Sequence, residues 1–336
     1  MKAFVINGPH NSEAKTVDDP TLGFGEIVVQ VERCGICGTD THIYQGDFLS
    51  QYPLIPGHEF SGVVKEVGEG ECNISVGDRV AVDPSLFCGK CEFCLSGRGN
   101  HCVSWGAIGD TVNGAMAEYV KVPVENVFHL PDNLSFAQGA FLEPIACVVH
   151  GMNQLQLSVG QSVLLFGAGS MGQLLVQALS HAGAGELVVV DISKQKLELA
   201  GHFGATRGIL SNELDVNLSH RRGHQGFDVV IDATGLPSVI QGEFSYLAPK
   251  GTFMQFGVAP VDATIAIRPF DIYHNDWKLI GSMAINHTYQ SALNWMKAGR
   301  FDVNPLISDT IALDDLPEFF KNGKHKDTMK VQVSME

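Results

Sequence analysis

Cys88, Cys91, Cys94 and Cys102 form a Cys-x2-Cys-x2-Cys-x7-Cys run inside fifteen residues. Each short Cys-x2-Cys step turns the backbone back on itself, so four thiolates at this spacing can converge on one tetrahedral metal ion. Gly89, Gly97, Gly99 and Asn100, which fill the gaps, are turn formers. Disulfide pairing needs an oxidising compartment, and no secretion signal is visible in the sequence. An iron–sulfur cluster is the closer rival, because cysteine runs of this kind also hold iron. The spacing favours zinc. A closed four-cysteine site leaves no coordination position for a substrate, so its expected work is to stabilise a lobe.

A second constellation reads as a dinucleotide site. Val163-Leu164-Leu165-Phe166 runs into Gly167-Ala168-Gly169-Ser170-Met171-Gly172, and a helix-type segment follows from Gln173 to His181. A lone GxGxxG is a weak signal, since glycine-rich turns occur throughout α/β proteins. Here a buried strand precedes it, a helix follows, and Val188-Val189-Val190-Asp191 forms a second strand ending in an acid, 22 residues after Gly169. The glycines permit a tight turn and a close approach of pyrophosphate to the helix N-terminus. The Asp191 carboxylate can accept hydrogen bonds from ribose hydroxyls and would repel a 2′-phosphate, which favours NAD over NADP. Lys194 and Lys196 lie nearby and are read as the solvated face of the next helix.

A third group is dispersed. Gly35-Ile36-Cys37-Gly38-Thr39-Asp40-Thr41-His42 and Gly57-His58-Glu59 place metal-type ligands in two loops. Alone, Cys37 reads equally well as a buried thiol and His58 as a satisfied loop histidine. Beside a dinucleotide site the balance changes, because an open zinc site supplies the Lewis acid that alcohol oxidation needs while the dinucleotide accepts hydride.

The elements that must position these groups fall into two sorts. Up to about Glu143, short β-type runs (Glu26 to Val31, Gly62 to Val67, Arg79 to Val82) are punctuated by glycine and proline, as a small β-barrel-like lobe requires. From Ser162 to about Ser282, continuous apolar strands alternate with helical segments: Ser162 to Phe166, Glu186 to Val190, Phe227 to Ile231, Gly251 to Phe256 and Trp277 to Ile280. Strands apolar on both faces mark a parallel α/β sheet. The last fifty or so residues return to mixed helix and strand, with no repeat and no low-complexity linker.

Composition sets the outer limits. The 336 residues suffice for two domains, and 45% apolar with 18% charged residues describes an ordinary soluble globular chain. A net charge of −15 argues against a nucleic-acid partner, which needs clustered Lys and Arg. The N-terminal apolar run is too short for a signal peptide, and no segment reaches the length of a membrane span. Eight cysteines without a secretion signal point to a reducing cytoplasm, with Cys34, Cys72 and Cys147 read as free thiols.

Together these motifs resemble the zinc-dependent medium-chain dehydrogenase/reductase family, and within it the polyol (sorbitol) dehydrogenase-like branch. The resemblance covers essentially the whole chain. It rests on Gly57-His58-Glu59-x2-Gly62-x5-Gly68, Val76-Gly77-Asp78-Arg79-Val80, the four-cysteine run, the glycine loop and Phe227-Asp228-Val229-Val230-Ile231-Asp232-Ala233-Thr234-Gly235. It implies a GroES-like β-barrel catalytic domain (1–146 and 283–336) bearing the structural zinc lobe, and a Rossmann doubly wound NAD-binding domain (147–282). It implies two zinc ions and NAD as cofactors, with a homo-oligomer by family habit. Cys37 and His58 match the catalytic zinc ligands. Glu59 matches the acidic ligand, and Glu143, in Phe141-Leu142-Glu143-Pro144, the second acid near the metal; the third ligand is read as Glu59 first, then Glu143 directly or through water, with Cys147 an outside candidate. Thr39 and His42 match proton-relay positions, Asp40 supports a ligand, and Gly167, Gly169, Ser170, Met171, Gly172, Asp191 and Thr234 fall at cofactor positions.

The activity implied is reversible oxidation of a secondary alcohol of a pentitol or hexitol to a ketose, in a cleft between the two lobes. Glu143, Asn286, His287 and Thr288 offer hydrogen bonds to additional hydroxyls, with Trp105 and Phe48 as apolar walls; loop and packing roles explain these residues equally well. Ile43 stands where sorbitol enzymes tend to carry an aromatic residue, which speaks against sorbitol itself. L-threonine 3-dehydrogenase shares the Cys34–Tyr44 loop pattern and is the nearest alternative. A sugar-phosphate polyol dehydrogenase, with Arg268 or Lys250 as a phosphate contact, and a non-catalytic redox or ligand sensor are further ones.

Overall fold

The computed structural model describes residues 1–47, 50–70, 73–323 and 327–335. Phe48 and Cys72 lie outside the described residues. The chain divides into two compact units, Met1–Ala146 with Ile285–Glu336, and Cys147–Ala284.

The first unit is organised around the ten-residue strand Glu26–Gly35, whose buried positions include Ile27, Val29 and Val31. One edge of this strand pairs antiparallel with Glu59–Val67 along nearly its whole length. Its other edge is shared: Tyr119–Pro123 takes the first half and Lys330–Ser334 the last three residues. Outer strands complete a seven-stranded sheet, with Ile307–Ala312 parallel to Lys330–Ser334 at one side and Arg79–Val82 and Val127–His129 antiparallel at the other. The hairpin Lys2–Gly8 with Asn11–Thr16 closes over the core through bonds from Phe4 and Ile6 to Met116 and Leu54. Phe4, Ile6, Ile27, Ile36, Phe60, Ile108 and Met116 are wholly buried there, each contributing about 1.5–3 kcal/mol of burial free energy. The register has a direct consequence for chemistry: Gly35 lies opposite Glu59 on one side and opposite Gln332 on the other.

The second unit is a six-stranded, all-parallel sheet in the order Arg207–Leu210, Glu186–Asp191, Ser162–Phe166, Phe227–Asp232, Leu247–Gln255, Lys278–Gly281. This is the doubly wound order, with the switch point between Ser162–Phe166 and Phe227–Asp232. The sequence pattern foresees five of these strands. Arg207–Leu210 escapes it because this edge strand buries Ile209 alone and leaves Arg207 and Gly208 exposed.

Past the end of Phe227–Asp232, Asp232 fixes the following loop, accepting from Thr234 N–H (3.0 Å), Thr234 Oγ1 (2.6 Å), Gly235 N–H (2.9 Å) and Gln255 Nε2 (2.6 Å). Glu243, fully buried at the end of helix Pro237–Glu243, lies close enough to feel that charge. Burial first, and Asp232 second, push the Glu243 carboxyl from its ordinary 4.5 up to about 9. The unfolded chain releases this proton near 4.5 while the folded chain keeps it to about 9. Folding stability from this group is therefore complete below 4.5 and declines as pH rises through that window, by at most about 1.4 kcal/mol per pH unit. Denaturant titrations at pH 5.5 and 8 should show lower stability at the higher pH, and Glu243→Gln should flatten the difference; an unchanged slope in that variant would show that Glu243 is not its source.

Candidate active site

Three loops of the first unit converge on one point. Cys37 caps the N-terminus of helix Gly38–Gln45 in an extended conformation, and its N–H donates to Asp40 Oδ2 at 2.8 Å. The same buried carboxylate accepts from Gly57 N–H through Oδ1 at 3.2 Å, so Asp40 ties the Cys37 turn to the His58 loop. One donor atom from each of Cys37, His58 and Glu59 lies within 4.8 Å of the others. Ligands at zinc distances of about 2.0–2.3 Å on a tetrahedron stand about 3.3–3.8 Å apart, so a modest contraction brings all three onto one ion. Thiolate, imidazole and carboxylate suit zinc, and three protein ligands leave a position open.

Two of these donor residues, His58 and Glu59, are held from behind. His58, nearly buried, has Nδ1 3.2 Å from Asp110 Oδ1 and 3.7 Å from Asp40 Oδ1, which leaves Nε2 for a metal. Burial works against a charged imidazole here, but Asp110, Asp40 and Cys37 overcome it and hold the His58 pKa well above its ordinary value. Burial likewise lifts the Asp40 carboxyl to about 6. Glu59 Oε1 accepts from Lys330 Nζ at 2.6 Å, with both side chains buried. Burial opposes the Lys330 charge, yet Glu59, Cys37 and Glu143 together keep its pKa above the ordinary lysine value. The carboxylate has room because position 35 is glycine: a Cβ there would lie 2.2 Å from Glu59 Oε2.

Glu143, half-buried in the first turn of helix Leu142–Leu155, is near enough to act on Lys330 and Tyr289 but does not join the three-donor group. Cys147 is also outside that group. Thr39 Oγ1 stands 3.7 Å from Cys37 Sγ, and His42 follows three residues later on the same half-buried helix face. Asn286, His287 and Thr288 are occupied elsewhere. Asn286 accepts from Gly99 N–H (3.0 Å) and donates to Gly97 O (2.9 Å), bracing the cysteine loop. His287 packs edge-on against Phe87 at 5.3 Å, and Thr288 Oγ1 donates to Ala146 O at 2.7 Å. These contacts give the three residues packing roles. Trp105 is half-buried, and its indole N–H has no partner among the described residues.

The four-cysteine loop is a separate centre. Sγ–Sγ separations are 3.5 Å for Cys91–Cys94, 3.9 Å for Cys88–Cys94 and 3.9 Å for Cys91–Cys102. A tetrahedron with Zn–S bonds of about 2.3 Å has edges of about 3.8 Å, whereas a disulfide would bring two sulfurs to about 2.0 Å. Backbone N–H groups of Cys88 and Ser104 point at Cys102 Sγ at 3.3 and 3.4 Å. N–H groups of Cys94 and Val103 do the same for Cys91 and lower its pKa to about 6, while burial raises Cys94 to about 12.

In the second unit, the glycine loop turns at Gly167 (φ +97°) into helix Ser170–His181. A Cβ on Gly172 would meet Gly167 O at 2.0 Å, so only glycine lets the helix start so close to the loop. Asp191 ends its strand with Oδ2 accepting from Ala168 N–H at 2.7 Å. Ser170 and Met171 open the helix, and Thr234 stands on the loop that Asp232 fixes.

Sequence reasoning did not find Asp110 or Lys330 as supports of the site. Lys330 is 271 positions from Glu59, and only the pairing of Lys330–Ser334 with Glu26–Gly35 brings them together.

Comparison with known proteins finds relatives over nearly the whole chain. A family model described as the alcohol dehydrogenase GroES-like domain matches residues 23–132, and one described as zinc-binding dehydrogenase matches 170–298. D-arabinitol dehydrogenase 1 of Uromyces fabae is 32% identical over 99% of this chain and 97% of its own. D-altritol 5-dehydrogenase of Agrobacterium fabrum is 35% identical over 93% of each. The crystal structure of a protein described as a zinc-binding dehydrogenase from Sinorhizobium meliloti 1021, bound to NADP, superposes with a TM-score of 0.95 at 33% identity, covering 99% of this chain and 98% of that one.

The Gly35 cradle gives a direct test of Glu59. Gly35→Ala should displace the carboxylate and empty the Cys37 centre while sparing the cysteine loop, so that zinc per purified chain falls from near two to near one. Retention of two zincs with unchanged affinity would mean that Glu59 is not a ligand.

Proposed function

This chain belongs to the zinc-dependent medium-chain dehydrogenase/reductase family, and we propose that it reversibly oxidises a secondary hydroxyl of a pentitol or hexitol to a ketone. It is an oxidoreductase with zinc and a nicotinamide dinucleotide as cofactors. The observation that carries the reading is the convergence of Cys37, His58 and Glu59 on one point, in a chain whose other unit carries a complete dinucleotide loop. When bound, the metal supplies Lewis acidity that makes a hydroxyl easier to deprotonate and the nicotinamide supplies a hydride acceptor.

The chain's own groups do the rest. Cys37, His58 and Glu59 would hold the catalytic metal, and Cys88, Cys91, Cys94 and Cys102 a structural one. Asp110 and Asp40 orient His58, and Lys330 orients Glu59. The Thr39 hydroxyl, 3.7 Å from Cys37 Sγ, would take up the proton of the substrate hydroxyl, with His42 on the same helix as its onward acceptor, while a bound dinucleotide would supply the hydride acceptor. Glu143, whose charge acts on Lys330, would accept a hydrogen bond from a neighbouring substrate hydroxyl. Two relatives act on polyols by name, which supports the substrate class. The cation beside the three-donor group, Lys330, is already paired with Glu59, which favours an unphosphorylated substrate. Asp191 supports NAD as the dinucleotide.

No helix among the described residues is long and apolar enough to cross a membrane; the four-cysteine loop, with sulfurs at metal rather than disulfide spacing, supports a reducing, cytoplasmic setting. The edge strand Lys278–Gly281, with Leu279 exposed and Phe270 and Tyr273 exposed on the helix before it, supports self-association; a particle mass above 36.2 kDa in solution checks this.

Zinc-loaded protein offered pentitols, hexitols, sugar phosphates, L-threonine and simple alcohols should form NADH with a polyol. Cys37→Ala should reduce that turnover by at least about a hundredfold, since even the loss of a residue behind a ligand typically costs 10–100-fold. Preference for threonine would overturn the polyol assignment and leave the metal and cofactor roles standing.

A further inference from the structure

Gln173 occupies an unusual place for an amide. It is wholly buried in the first turn of helix Ser170–His181, directly after the glycine loop, and its Oε1 has no hydrogen-bond partner among the described residues. A hydrophobic side chain would avoid that desolvation, so the function of the amide lies in its two N–H bonds. Nε2 donates to Ala168 O at 3.0 Å and to Lys196 O at 2.8 Å.

These bonds close a ring through three segments. Ala168 N–H donates to Asp191 Oδ2 at 2.7 Å, and Ser193 N–H donates to Asp191 Oδ1 at 2.9 Å. Lys196 N–H donates to Ser193 Oγ at 3.5 Å, capping helix Lys194–His202. From Lys196 the path returns through Gln173 to Ala168. The glycine loop, the acid at the end of Glu186–Asp191 and the start of the next helix are thereby locked to one another. With a backbone donor on each oxygen, the Asp191 carboxylate has a fixed position. Its remaining lone pairs suit ribose hydroxyls, whereas a 2′-phosphate meets a negative charge that cannot swing aside unless the ring opens. Lys194, the neighbouring cation, leans on Glu198 at 3.7 Å.

We propose that Gln173 is a positioning residue that sets the choice between dinucleotides with and without a 2′-phosphate, acting through Ala168 and Asp191 without touching either cofactor. The inference rests on the reading that this unit binds a nicotinamide dinucleotide.

Direct binding of NADH and NADPH to the full-length protein, followed by nicotinamide fluorescence, separates the two ideas. Wild type should bind NADH more tightly. Gln173→Met keeps length and volume but removes both donors; it should weaken NADH about tenfold, one hydrogen bond's worth, and NADPH much less, narrowing the ratio between them. Ser193→Ala, which breaks the ring at the cap, should narrow the ratio in the same direction and decides the matter if Gln173→Met does not fold. A purely structural role would weaken both dinucleotides equally and leave the ratio unchanged, and that result overturns the proposal, as does a wild-type preference for NADPH. If the wild type binds neither dinucleotide, the cofactor reading falls and this inference with it.

Discussion

The first unit depends on a buried ion pair, Glu59 with Lys330 at 2.6 Å. Desolvating two such ions costs several kcal/mol each, and removing one partner of a buried pair typically destabilises by about 3–5 kcal/mol. The pair is therefore poor evidence for stability and better evidence for placement. It joins the strand Glu59–Val67 to Lys330–Ser334 across the end of Glu26–Gly35, and it aims a carboxylate at the point where Cys37 and His58 meet. Acids outnumber cations around that point: Cys37, Glu59, Asp40, Asp110 and Glu143 face Lys330 and His58. The raised affinity of His58 for a proton and the site's suitability for a metal cation have the same origin. Proton and metal compete for one acidic neighbourhood, and zinc binding must release protons.

The two candidate metal centres solve the same problem in opposite ways. The cysteine loop takes all four donors from one short stretch, with backbone N–H groups turned onto the sulfurs and Asn286 bracing the loop from outside. The other centre draws its donors from the Cys37 turn and the His58–Glu59 stretch, and its supports from Asp40, Asp110 and Lys330. Local ligation suits a structural ion. Assembly from distant segments lets each ligand be oriented separately and leaves one coordination position open.

This difference also decides what could be read from the sequence. Cys88, Cys91, Cys94, Cys102 and the glycine loop announce themselves because spacing along the chain fixes their geometry. The continuous apolar strands of the second unit are legible for a similar reason, being covered on both faces. Arg207–Leu210 is not, because an edge strand with one buried residue has no pattern to show. Asn286, His287 and Thr288 look like substrate contacts by composition, yet Asn286 braces the cysteine loop and Thr288 bonds to Ala146. Lys330, Asp110 and Gln173 carry no local signature at all. Their roles come from tertiary register, which a single sequence does not display.

Zinc K-edge X-ray absorption on the wild-type holoprotein tests the account most directly. Two environments are predicted: one of sulfur alone at about 2.3 Å, and one with a single sulfur and lighter donors at about 2.0–2.2 Å. A spectrum fitted by the all-sulfur environment alone, with one zinc per chain, would contradict the claim that Cys37, His58 and Glu59 form a metal centre.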